Sequence, residues 1–76
     1  MARGKVKWYN QPKGYGFILP DDKTETNGMD VAVHIKAIEK AGLRTLNDND
    51  IVNYKLLKNH DGWAYYADEI EIVKDL

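Results

Sequence analysis

Seventy-six residues without a single cysteine set tight bounds on this chain. A domain of that length buries roughly 60% of its unfolded surface, so packing alone has to hold one modestly stable domain over residues 1–76, with a core at about 4–73. A disulfide framework and a thiolate metal site are excluded, and with only His34 and His60 available no zinc or other metal is expected. No apolar run approaches a bilayer span, and MARGKVKW lacks the apolar centre of a signal peptide, so no membrane association and a cytoplasmic location are expected. The net charge of −1 argues at first against a polyanionic partner. Its distribution argues the other way: through Leu19 the chain carries Arg3, Lys5, Lys7 and Lys13 with no acid, whereas seven basic and twelve acidic residues follow. A local positive surface on an acidic protein is therefore open.

Lys5 to Tyr9 alternates charged and apolar residues and predicts a first strand. Asn10, Gln11 and Pro12 break it, and Tyr15 to Leu19 is expected to return antiparallel, bringing Trp8 near Tyr15 and Phe17. Within KGYGFI (13–18) the two rings lie on one face of a pleated strand, with Gly16 and Ile18 on the other. Two readings follow: rings turned to the core over a glycine bulge, or rings turned outward beside Lys13 as a surface for single-stranded nucleic acid, with charge for phosphate and π-faces for bases.

PDDKTETNGMD (20–30) is polar and turn-rich, and predicts an exposed loop whose acids point away from phosphate binding. Val31 to Ile35 predicts a third strand with Val31, Val33 and Ile35 inward and Ala32 and His34 outward. Lys36 to Leu46 supports one short helical turn, with Gly42 as its stop. Asp50 to Lys58 is the fourth strand, Asn59 to Gly62 supply a hairpin turn, and Trp63 to Val73 is the fifth. In that strand Tyr66, Ile70 and Ile72 share one parity and Trp63, Tyr65 and Ala67 the other, unless a bulge shifts the register; sequence leaves the choice open. Repeats, low-complexity segments and linkers are absent, and an all-β small barrel leaves no long open edge.

GKVKWYN (4–10), KGYGFI (13–18), DVAVHI (30–35) and, more loosely, AGLRTLNDND (41–50) resemble the successive signatures of bacterial cold-shock proteins, in that family's order. The resemblance implies a five-stranded antiparallel OB-type barrel, with one short helical turn between strands 3 and 4. It further implies binding of single-stranded RNA and DNA, with a role as nucleic-acid chaperone or antiterminator. KGYGF also matches the opening of the RNA-recognition-motif signature, but that fold needs two full helices and places its partner strand earlier in the chain.

By position, the resemblance assigns ligand contact to Lys7, Trp8, Lys13, Tyr15, Phe17 and His34. The lysines would meet phosphates and the rings would stack on bases. The family commonly has Phe where this chain has Ala32, Ile35 and Leu43, while Trp63, Tyr65 and Tyr66 stand where it tends to have small or polar residues, so one of these could replace a lost platform. The reading is a non-catalytic, monomeric single-strand binder with weak sequence preference and no cofactor. The alternative is a diverged barrel serving as a protein-interaction module. Paired carboxylates, an activated nucleophile and a phosphate-cradling glycine loop are all lacking, so no catalytic residue is expected.

Overall fold

The computed structural model describes residues 1–59 and 64–73. Its first strand, β1 (Ala2–Asn10), starts before the expected Lys5, because Ala2 to Lys5 pair with a strand distant in sequence, β4 (Ile51–Lys58). The second, β2 (Tyr15–Pro20), returns antiparallel on β1 as the turn chemistry requires. Asn10 closes that turn: its side-chain oxygen accepts from the Lys13 amide at 3.0 Å and its carbonyl from the Gly14 amide at 2.8 Å.

β3 (Val31–His34), the helix α1 (Ile35–Lys40) and β5 (Tyr65–Ile72) complete the chain, and the strands close into a barrel in the order β1-β2-β3-β5-β4. This agrees with the all-β, OB-type architecture and its single short helix. The expectation of antiparallel pairing throughout is corrected at one joint, where β3 and β5 run parallel with Ala32 beside Tyr66. Strand directions that alternate along the chain cannot alternate all the way round a closed ring of five, so one joint has to be parallel. Burial follows alternation in the first half of the barrel: Val6, Ile18, Val31, Val33 and Val52 are all within 1% of full burial, and Ile38 of α1 caps them at 0%.

Three local expectations change. Ile35 opens α1 instead of ending β3, because His34 serves as the helix N-cap, its Nδ1 accepting from the Lys36 amide at 3.1 Å. Gly42 does stop the helix, with a φ of +76° that a residue bearing a Cβ adopts only at a cost. The loop at 20–30 is not exposed throughout: Thr26 is fully buried, and its hydroxyl donates to the Met29 carbonyl at 2.7 Å. Asn27 of the same loop donates to the Tyr65 hydroxyl at 3.1 Å, which ties the loop to β5.

The open register of the fifth strand is decided by a bulge. Asn53 pairs with Glu71 but Lys55 pairs with Asp68, so β5 carries one extra residue there, and Glu69 takes a left-handed φ of 49°. Tyr65, Ala67 and Ile70 consequently all face the core, while Tyr66 is 42% exposed. Of the expected turn at 59–62, residues 60–62 lie outside the described residues, as does Trp63.

Candidate nucleic-acid interface

A second bulge builds the ring surface. Val6 pairs with Ile18 and Trp8 with Phe17, so Lys7 is the extra residue on β1. Strict alternation from the buried Val6 would send Trp8 inward; the bulge returns it to the outer face beside the rings of β2. Trp8, Tyr15 and Phe17 then meet edge to face. Ring centroids are 5.2 Å apart for Trp8 and Phe17, 5.5 Å for Trp8 and Tyr15, and 6.3 Å for Tyr15 and Phe17, with interplanar angles of 67°, 72° and 89°. Such geometry holds the rings in place through their own quadrupoles.

The inward side of β2 explains why these rings are outside. Gly16 lies where a Cβ would fall 2.7 Å from the Tyr9 Cα, and just before the strand a Cβ on Gly14 would fall 3.1 Å from the Ile35 side chain, so β1 backbone and a neighbouring side chain fill the space a ring would need. Of the two readings of KGYGFI, the outward one holds for Tyr15, which is 40% exposed, whereas Trp8 and Phe17 are half-buried against each other.

His34 pairs across the strands with Tyr15 and is exposed; its N-cap bond occupies Nδ1 and leaves Nε2 and the ring faces for other partners. Lys7 is exposed on the bulge, but its ammonium forms an ion pair with Asp30 at 3.2 Å. One acid of the 20–30 loop thus turns toward the expected phosphate contact, contrary to the sequence reading. An exposed pair of this kind is worth about 0–1 kcal/mol, so a phosphate can displace it. Lys13 is exposed in the β1–β2 turn. Trp8, Tyr15, Phe17 and His34 therefore share one continuous surface, with Lys7 and Lys13 at its borders.

The three positions lacking the family's Phe have separate fates. Leu43 packs against the core, Ile35 is half-buried against Gly14, and only Ala32 stands on the outer surface, half-buried between Phe17 and Tyr66. Tyr65 is buried at 4% exposure, so among the described tyrosines of β5 only Tyr66 presents its ring outward.

A model of the 'Cold-shock' DNA-binding domain matches residues 2–67. The chain belongs to the cold-shock domain family. Similar proteins include a probable cold shock protein of Sinorhizobium fredii, 46% identical over 71 residues that cover 93% of this chain and 97% of the relative. A cold shock protein of Rhizobium meliloti is 40% identical over 92% of this chain and 96% of its own length, and a cold shock-like protein of Thermotoga maritima is 43% identical over 79% and 83%.

Two further side chains border the ring surface of this cold-shock domain without having been singled out from sequence. Lys40, in the last turn of α1, bonds both carboxylate oxygens of Asp68 at 3.1 and 3.2 Å. That hydrogen bond, helped by the Glu69 amide, holds the Asp68 carboxyl below its ordinary range. Only the four-residue spacing of Lys36 and Lys40 on a helix hints at a shared basic edge. The partner of Lys40 on β5, Asp68, is set by the parallel joint, which no local pattern encodes. Among the described residues no cluster of acids and histidines could hold a metal ion, and no helix is long and apolar enough to cross a membrane.

Proposed function

We propose that this cold-shock domain is a non-catalytic binder of single-stranded RNA and DNA, with Trp8, Tyr15, Phe17 and His34 stacking on bases and Lys7 and Lys13 meeting phosphates. The observation that carries this reading is the edge-to-face cluster of three rings on the outer face of a closed barrel, with Tyr15 exposed and Trp8 and Phe17 half-buried. A base stacked on such a ring gains about 1–3 kcal/mol and cannot at the same time pair with another base. The protein thereby competes with hairpins in RNA, which is the physical basis of a nucleic-acid chaperone or antiterminator. It acts in the cytoplasm and as a monomer, the latter a reading supported by one barrel carrying all six proposed contact residues. Stacking accepts any base, so sequence preference is weak.

The protein-interaction alternative rests on the missing rings at Ala32, Ile35 and Leu43. It loses weight because Ile35 and Leu43 contribute to packing and Ala32 has an exposed ring, Tyr66, beside it.

Few phosphates take part, because Lys7 already has a carboxylate partner and the chain carries twelve acids. Labelled oligothymidine followed by fluorescence anisotropy should bind with a shallow salt dependence: a slope of about 1–3 in log affinity against log salt, at roughly 0.7 per phosphate on a single strand. The same strand annealed into a duplex should bind far more weakly. A slope above about 4, equivalent to six or more phosphates, or equal affinity for the duplex, would contradict the stacking reading.

A further inference from the structure

The outward row of the barrel continues beyond the family's assigned contacts. Trp8 pairs with Phe17, Phe17 with Ala32 and Ala32 with Tyr66, so a single line crosses β1, β2, β3 and β5. Adjacent strands lie about 4.7–4.9 Å apart, which puts Phe17 and Tyr66 two strand spacings apart with only a methyl group between them. Tyr66, 42% exposed, is the ring on the far side of that methyl group. The depression here measures about 420 Å³ and is bordered by Tyr15, His34 and Tyr66, with Ala32 and Ala37 contributing apolar lining. Lys36 and Lys40, one helical turn apart, line the same groove.

The chemistry of the lining selects the occupant. Rings and methyl groups accept the faces of a base, and two ammonium groups accept the phosphate beside it. The groove is also continuous with Tyr15 and His34, so a strand leaving the ring cluster reaches it without crossing other surface. Lys40 is already paired with Asp68, but both are solvent-accessible, with side-chain exposures of 64% and 26%, and a phosphate can compete for the ammonium as at Lys7.

We propose that the groove between Tyr15 and Tyr66, lined by Ala32, is a further nucleotide subsite for the same single strand, with the base on Tyr66 and the phosphate at Lys36 and Lys40. It rests on the single-strand-binding function proposed above and lengthens the footprint from β1–β3 to β5. The methyl group of Ala32 is then the opening that admits the base, and Tyr66 is the ring that receives it.

The test compares the wild type with Tyr66→Ala, Tyr66→Phe and Lys36→Gln, titrated against oligothymidines of about four to ten nucleotides. Wild-type affinity should climb with length to a plateau. Tyr66→Ala should match the wild type on the shortest strands, stop climbing at a shorter length, and finish about 5- to 150-fold weaker, the loss of one stacked base. Tyr66→Phe should keep the plateau, because the ring and not the hydroxyl stacks. Lys36→Gln should lower the salt slope by about 0.7 on long strands only. A Tyr66→Ala protein with the wild-type plateau and length dependence would overturn the subsite and leave the groove to another occupant, such as a peptide. So would a Lys36→Gln slope unchanged at every length. If no oligothymidine binds the wild type, the function itself fails and the subsite falls with it.

Discussion

Phe17→Ala should weaken binding of oligothymidine by about 1–3 kcal/mol, the worth of one stacked base, while leaving a folded protein. Phe17 sits at the middle of the outward row, between Trp8 and Ala32, and touches Trp8 and Tyr15 by ring edges. Truncation removes the platform itself and two edge contacts worth about 0.5–1.5 kcal/mol each. Stability should therefore fall by less than the roughly 3–5 kcal/mol of a core Phe truncation. Oligothymidine affinity and urea midpoint measured on the same preparation separate the two effects. A variant that unfolds outright, or one that keeps full affinity, would place Phe17 among the structural residues instead.

The neighbouring position should behave in the opposite way. Gly16→Ala inserts a methyl group 2.7 Å from the Tyr9 Cα and closer still to the Trp8 carbonyl oxygen, both of them backbone atoms of β1 that no rotamer change can move. Such overpacking costs about 1–3 kcal/mol or more, a large share of the roughly 4–11 kcal/mol expected for a domain of this size. The urea midpoint should drop markedly, and binding should decline with it because the displaced carbonyl belongs to Trp8. An unchanged midpoint would mean that β1 and β2 separate more easily than their packing implies. Two adjacent residues of one strand thus divide function from fold: the side facing solvent carries rings, and the side facing β1 carries only hydrogen.

The strands, the first hairpin and the short helix were legible because alternation, turn residues and a glycine stop are local signals. Phe17 and Tyr15 were legible as outward rings only once the family pattern was added, since alternation assigns them to one face without saying which. What sequence concealed was long-range. The bulge at Lys7 reverses the parity of Trp8, and the bulge at Glu69 lets Tyr65, Ala67 and Ile70 share the core; each depends on the strand opposite. The parallel β3–β5 joint follows from closing a ring of five, and it alone sets Tyr66 beside Ala32. His34 was legible as an exposed histidine but not as a helix cap, and so Ile35 was assigned to the strand it follows. The ion pair of Lys7 with Asp30 joins residues 23 apart in sequence, and no spacing rule relates them.

The claim that the exposed rings receive bases is tested most directly by fluorescence. In a Trp63→Phe background Trp8 is the sole indole of the chain, and its emission reports on that surface alone. Addition of a short oligothymidine at low salt should quench it strongly and saturably, and the quench should be weaker with Phe17→Ala at the same strand concentration. Emission that stays constant while an independent method registers bound strand would show that nucleic acid docks elsewhere on the barrel, and would contradict the account.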